Sequence, residues 1–337
     1  MQQVADRAGV SRTTVSLVLN DVPHVNIPQE TRDRVLQAAQ ELEYARDYAA
    51  LSLATGRSHT VAFILHQSAD VLAVNLFVGR VLTGVARVLS QADYHLLFYA
   101  LPPAAPAGAY ARLIRSQRVD GLLISGPTIE DPELETLHDE GVPIVMQGTP
   151  GITDLPCVDV DNVASARMAV EHLIALGHQR IAHISNAPLT YTASRDRLAG
   201  YRIALAEAGL PVDPALISYG SFTDDSGYAA MTDLLARPER PTAVFVASDV
   251  VALGAIQAIR EHGLRIPDDI SVIGFDDIPF MSYIEPGLTT IHLPAIELGY
   301  QAGQIMLRLL QEESIPTPRI LLETELIVRG STGPPFA

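Results

Sequence analysis

The chain has 337 residues, 48 % of them hydrophobic, which is enough for two or three packed domains and excludes disorder throughout. Its 23 basic residues against 39 acidic ones leave a formal charge of -16, which excludes broad, nonspecific affinity for nucleic acid or anionic membrane but not a small DNA-reading module on an acidic body. All the basic residues are arginines, and without lysine the P-loop, the kinase-type phosphate lysine, the Schiff base and the response-regulator switch are excluded together.

Every long apolar stretch is cut by Arg, Asp, Asn or Pro before it reaches the roughly 18 residues of a membrane span, so no membrane helix is expected. The start, Met1 to Arg7, has neither the basic flank nor the apolar run of a secretory signal, and the chain is expected in the cytoplasm. The single cysteine, Cys157, leaves no internal disulfide and no thiolate metal cluster; no cofactor and no metal site are expected. Residues 1–57 carry six arginines and seven acids, whereas the remaining 280 hold 17 arginines and 32 acids, so the front end is electrostatically a different object.

Residues 2–20 predict two short helices around Ala8-Gly9-Val10. Val4, Ala5, Ala8, Val10, Val15, Val18 and Leu19 are spaced to pack them together, and Gly9 can take the positive φ of a tight turn. Ser11 is a good N-cap for the second helix, whose first turn shows Arg12, Thr13, Thr14 and Ser16 outward. Such side chains suit a helix entering a major groove, although an ordinary helical hairpin has the same spacing. A third helix over 29–43 sets Val35, Leu36, Ala39 and Leu42 on one face, leaving Thr31, Arg32 and Arg34 for phosphate contact or for solvent. Residues 44–55 form another amphipathic segment, with Ala50, Leu51, Leu53 and Ala54 too apolar for a free linker.

Beyond Gly56 the pattern changes to short apolar strands alternating with amphipathic helices, the signature of parallel α/β architecture. Strands are predicted at 61–65, 95–99, 121–125 and 142–147, then at 181–185, 216–219, 242–247 and 271–275, with helices such as 164–176, 196–208 and 250–261 between them. Two similar lobes result. Ligands of such sheets bind beyond the carboxyl ends of the strands, which singles out 68–77 with Asn75 and Phe77, then Ser125, Gln147-Gly148, Ser185-Asn186, Phe222, Ser248-Asp249 and Asp276-Asp277. Hydroxyl, amide and carboxylate groups with Phe77 and Phe222 as apolar faces suit a polyhydroxylated ligand. From the residues alone, Arg197 also reads as a surface helix arginine and Asp249 as an N-cap. Asp276-Asp277 lacks the third carboxylate of a metal site, and His178 and His183 lack the spacing of a metal pair.

Val4 to Asn20, followed by Glu30-Thr31-Arg32-Asp33-Arg34-Val35 and Leu42-Glu43-Tyr44, resembles the lactose/galactose repressor (LacI/GalR) family. The resemblance runs to the C-terminus through Val160-Asp161-Asn162, Leu176 to Ile181, Arg197 to Tyr201, Ala247-Ser248-Asp249, Gly274 to Asp277 and Leu288 to Pro294. It implies an N-terminal all-α helix-turn-helix DNA-binding domain over 1–46 and a hinge helix over 47–57. A two-lobed α/β effector domain like periplasmic binding proteins, with parallel sheets, follows over 58–337. Its first lobe is expected near 58–158 and 289–318, its second near 159–288 and 319–333.

By that resemblance Arg12 and Thr13 read bases, while Thr14 and Ser16 position the helix on the backbone; Ser11, Leu17, Thr31 and Arg32 complete the candidate DNA-binding residues. Leu53 is the minor-groove wedge, with Ala50 beside it, inserted by the paired hinge helices of a homodimer. Arg197 binds the effector, Phe222 stacks on it and Asp276 accepts its hydrogen bonds, with Asn75, Phe77, Ser125, Gln147 and Ser248 completing the pocket. Leu17 stands where many members have a base-reading Arg, Arg46-Asp47 replaces a frequent Pro-Asn, 21–29 is slightly longer than usual, and Ser248 replaces an Asn. Met1 falls where members already have an apolar residue of the first helix, so the natural start is expected upstream.

The sequence therefore points to a dimeric regulator that binds a pseudo-palindromic operator and a small molecule, a sugar or sugar derivative. Its partners are double-stranded operator DNA, the effector and a second copy of the chain, with no membrane. A solute-binding protein without a DNA role is the alternative, and an enzyme on the same scaffold a third reading without a supporting motif.

Overall fold

The computed structural model describes residues 1–19, 25–44, 56–68, 72, 75–102, 108–151, 155–313, 315 and 319–336. The chain forms two compact units, Met1–Ser58 and His59–Ala337.

The first unit contains α1 (Gln2–Ala8), α2 (Arg12–Leu19) and α3 (Gln29–Glu41) around Val4, Ala5, Ala8, Val15, Val18, Leu19, Val35 and Ala38. Gly9 ends α1 at φ 66°, a left-handed value that only glycine adopts freely, and so lets α2 turn back at once. The apolar face of α3 differs from the expected one. Val35 and Ala38 point inward, whereas Leu36 is 51 % and Leu42 41 % exposed, because one step of about 100° carries Leu36 off the face that Val35 sets. Arg7 reaches from α1 to Glu41 of α3 at 2.7 Å, an exposed pair of small energetic weight. The expected linker segment, with Ala50 and Leu53, lies outside the described residues.

The second unit holds two six-stranded sheets. The first contains β1 (Thr60–Leu65), β2 (His95–Ala100), β3 (Gly121–Ser125), β4 (Ile144–Gln147), β5 (Cys157–Val160) and β11 (Arg319–Leu322), in the order β11-β5-β4-β3-β1-β2 and parallel throughout. The second contains β6 (Ile181–Ser185), β7 (Ile217–Tyr219), β8 (Ala243–Val246), β9 (Ser271–Asp276), β10 (Thr289–His292) and β12 (Glu325–Ile327), in the order β12-β10-β9-β8-β6-β7. All its pairs are parallel except that of β12 with β10.

Both sheets are covered on both faces, which is why their strands are apolar without alternation. In the first, Phe63, Leu123 and Val145 face α4 (Leu76–Gln91) and α11 (Ala295–Leu310), whereas Ile64, Ile124 and Met146 face α5 (Ala109–Arg115) and α6 (Pro132–Asp139). In the second, His183, Phe245 and Ile273 face α7 (Asn162–Ala175) and α8 (Thr192–Glu207), and Ile184, Val246 and Val272 face α9 (Asp224–Leu235) and α10 (Asp249–Glu261). The pair α4 and α11 crosses closely at Gly84, where an added Cβ would lie 2.0 Å from the Ile296 carbonyl oxygen.

The lobe limits drawn from the sequence shift. Thr289–His292, expected with the first lobe, pairs with β9 in the second sheet, and Arg319–Leu322, expected with the second lobe, pairs with β5 in the first. The chain passes between sheets after β5, after β10 and after β11. No helix among the described residues is long and apolar enough to cross a membrane.

Candidate functional site

In the first unit, Ser11 begins α2 as a capping residue: the Thr14 N–H donates to its Oγ at 3.0 Å and the Thr14 hydroxyl lies 2.9 Å from the same atom. Ser11 and Thr14 thus spend their oxygens on each other and on the helix end. Arg12 and Thr13 are exposed, while Thr14, Ser16 and Leu17 are half-buried, as are Thr31 and Arg32 of α3. A helix whose first turn presents an arginine and a threonine to solvent from a rigid three-helix core fits a major groove.

In the second unit, a cleft opens at the carboxyl ends of both sheets. Asn75, Phe77, Ser125, Gln147, Arg197, Phe222, Ser248 and Asp276 all lie on its wall. On the first-sheet side, the Ser125 hydroxyl donates to Gln147 Oε1 at 2.7 Å, and Asn75 caps α4 by accepting from the Phe77 N–H at 3.1 Å.

On the second-sheet side Arg197 is 7 % exposed, so it is no surface arginine. Its Nε donates to Asn162 Oδ1 at 2.9 Å, its Nη1 to the Ala247 carbonyl at 2.6 Å, and its plane lies 3.7 Å from the centre of the Phe275 ring. Asn162 is oriented in turn by Asp159, whose carboxylate also takes the Thr149 N–H and hydroxyl, each at 2.7 Å. Burial holds the guanidinium below its usual pKa, and the charges of Asp276, Asp159 and Asp249 oppose that.

Asp276 stands 3.9 Å from Arg197 Nη1 and accepts from the Ser248 hydroxyl at 3.1 Å. Burial pushes its carboxyl up to about 6 against the pull of Arg197. It reaches this place through a turn in which Asp276 and Asp277 have φ 121° and 53°, strained values that are retained where a side chain must be aimed. Phe222 has φ 64° and meets the Tyr191 ring edge-on at 5.0 Å between centres.

Asp249 is not the expected side-chain cap. It is fully buried, accepts from the Thr290 hydroxyl at 2.7 Å and from the Ile278 N–H at 3.0 Å, and burial followed by the charge of Asp276 raises its pKa well above the ordinary value. Asp277 joins the hinge strands, taking Arg329 Nη2 at 2.6 Å and His292 Nδ1 at 2.9 Å. His178 ties Thr242 and Ser271 to the Gly333 carbonyl, a structural role.

Comparison with known proteins decides the assignment. Residues 1–47 match the family described as bacterial regulatory proteins, lacI family, and residues 170–332 match the periplasmic binding protein-like domain. The transcriptional regulator CelR of Thermobifida fusca is 36 % identical over 334 residues, covering 98 % of this chain and 97 % of that protein. The chain belongs to the lacI family. It is therefore a DNA-binding transcriptional regulator. Two solved structures are similar across the full length of this LacI-family chain. A CelR–cellobiose complex has TM-score 0.75 and 35 % identity, and a Lac repressor dimer bound to operator and the anti-inducer ONPF has TM-score 0.83 and 30 % identity; each comparison covers 98 % of both chains.

Gln67, Asp159 and Leu293 also line the cleft of this LacI-family chain, and sequence reasoning missed all three. Gln67 and Leu293 each lie one or two residues past a strand end, a signal that could have found them; Asp159 lies inside β5, and nothing in the sequence marks it.

Proposed function

We propose that this LacI-family regulator represses carbohydrate-utilisation genes as a homodimer on a pseudo-palindromic operator, and that a neutral sugar in the cleft changes its grip. Arg12 and Thr13 read bases in the major groove and Leu17 adds an apolar contact. Ser11, Thr14, Ser16, Thr31 and Arg32 set the helix against the backbone, and a hinge over 47–57 inserts Leu53, beside Ala50, into the minor groove. The chain works in the cytoplasm and acts by binding, without turnover of the sugar.

The observation that carries the sugar reading is the wall of the cleft: Phe77 and Phe222 supply apolar faces, and Asp276, Ser248, Gln147 and Asn75 supply polar groups around the braced Arg197. A few polar anchors in an apolar cleft suit a polyol. The likeness to CelR, described in complex with cellobiose, makes cellobiose the first sugar to try. Three chain crossings make a hinge between the lobes; a sugar that shifts lobe closure shifts operator affinity, and by linkage the operator shifts sugar affinity by the same factor.

The test is selection of bound duplexes from a random DNA pool at low salt, repeated with cellobiose, maltose, trehalose or sucrose. An enriched near-palindrome whose retention changes with one sugar is the expected result. Enrichment that none of these sugars changes would overturn the sugar reading of the cleft, and sugar consumed during incubation would overturn action by binding alone.

A further inference from the structure

Gln67 lies two residues past the end of β1 on the wall of the cleft. It is 6 % exposed, and its Oε1 is buried without a hydrogen-bond partner. A buried carbonyl oxygen without a donor is destabilising, and such atoms in native proteins mark places where something else supplies the donor.

Its neighbours on the same wall are already engaged. The Ser125 hydroxyl is spent on Gln147 Oε1, and Asn75 Oδ1 is spent on the Phe77 N–H. Across the cleft, Asn186 Oδ1 accepts from the Ser194 hydroxyl, and Arg197 commits Nε and Nη1 to Asn162 and the Ala247 carbonyl. The Asp276 carboxylate takes the Ser248 hydroxyl and the Asp249 N–H and lies 3.9 Å from Arg197 Nη1, with lone pairs left for a sugar hydroxyl. Gln67 Oε1, on the first-sheet side, is the acceptor of the cleft wall without any donor.

We infer that Gln67 is a specificity-determining residue, whose side-chain carbonyl accepts a hydroxyl at the end of the bound sugar opposite the one that Asp276 holds. The inference rests on the sugar reading of the cleft. It requires a ligand with hydroxyl donors at both ends. A sugar lacking the hydroxyl that faces Gln67 is rejected, because it leaves this acceptor buried and unmet.

The test uses the full chain and calorimetric titration with cellobiose, or with whichever of maltose, trehalose and sucrose binds, followed by the monodeoxy series of that disaccharide. In the native chain one deoxy analogue binds at least tenfold more weakly than the parent sugar. In Gln67→Met, which keeps the volume and removes the acceptor, affinity for the parent falls about tenfold and the same analogue binds as well as the parent, the signature of one direct pair. Without sugar, Gln67→Met melts at or above the native temperature.

Three results overturn the inference: unchanged affinity in Gln67→Met, equal losses across the whole deoxy series, or a melting temperature several degrees lower without sugar. In each of these the native chain still binds a sugar, so the sugar reading stands. If the native chain binds none of the four disaccharides, the sugar reading fails and the role of Gln67 falls with it.

Discussion

The hydroxyl of Tyr191, at the start of α8, donates to the backbone carbonyl of His66, at the end of β1, and so joins the lobe of the second sheet to that of the first. Two backbone bonds run beside it, from the Ile129 N–H to the Thr190 carbonyl at 2.9 Å and from the Thr192 N–H to the Pro127 carbonyl at 3.2 Å. His66 is itself fixed, since its Nε2 meets the Tyr110 hydroxyl, which donates to Asp131 at 3.0 Å. Tyr191 also touches Phe222 edge-on, so the sugar proposed to stack on Phe222 would bear on this latch.

Tyr191→Phe keeps the ring against Phe222 and removes the donor. The His66 carbonyl then goes unmet whenever the lobes are closed, at a cost of about 1–3 kcal/mol, whereas open lobes leave it to water. Sugar affinity is expected to fall through the smaller closed population, by at most about 5- to 150-fold. Without sugar, small-angle scattering should report a larger radius. A lower melting temperature at unchanged affinity would make the bond ordinary packing.

The raised carboxyl of Asp276 gives effector binding a pH dependence of definite sign. Sugar hydroxyls that donate to a carboxylate favour its ionised form, which predominates only above the value near 6 to which burial pushes it. Affinity should therefore hold from neutral pH down to that value and then weaken, up to about tenfold per pH unit below it. For folding alone the sign is opposite. The raised pKa contributes stability that is fully present below the ordinary carboxyl value and is lost as pH rises through about 6. Calorimetric titration across this range with the native chain and Asp276→Asn separates the two, since the variant should bind more weakly and without the slope.

The strand ends that carry the cleft were legible in the sequence because a parallel sheet buried on both faces leaves no polar residue until the strand stops, as at Ser125 and Gln147. The bracing of Arg197 was not. Its partners Asn162 and the Ala247 carbonyl come from β5's exit and β8's exit, which only the sheet order brings together. The same limit explains the misassigned β10 and β11: each is four residues long, and length and apolarity suit either sheet. On α3 the adjacent Ala38 and Ala39 make two faces equally apolar, and the packing against Val4 and Val15 selects the one that leaves Leu36 outside.

His183 lies fully buried in β6, its ring between Tyr201 and Phe245 at 5.2 Å from each, and neither ring nitrogen has a hydrogen-bond partner. Burial pulls its pKa down to about 3, so folding requires the neutral ring. A depressed histidine pKa contributes stability that is present above the unfolded value near 6.5 and is lost as pH falls below it, by up to about 1.4 kcal/mol per unit. His183→Phe offers a third aromatic ring and nothing to protonate. Urea denaturation at about pH 7 and about pH 4.5 should show the variant losing less stability than the native chain, by about 1–3 kcal/mol. An equal loss in both would assign acid sensitivity to other groups.

Arg12 and Arg32 should fail in different ways when replaced by alanine. Arg12 is exposed at the first position of α2, where an arginine reaches a guanine edge, so Arg12→Ala should cost about 1–3 kcal/mol and relax preference at one position in each half-site. Arg32 lies in the first turn of α3 and is proposed to meet phosphate; Arg32→Ala should then weaken binding about evenly across sequences and lower the salt slope by about one per half-site. Because few arginines hold DNA and the repulsion from a body of net charge -16 is itself screened by salt, affinity for the selected duplex should fall only modestly between low and physiological salt, with a slope set by the few phosphates met. Binding isotherms of both variants over a salt series, on the selected duplex and on single-base variants, read the two effects separately. A flat salt response in the native chain would remove the electrostatic basis for assigning Arg32 to the backbone and leave the base-reading role of Arg12 to stand on its own.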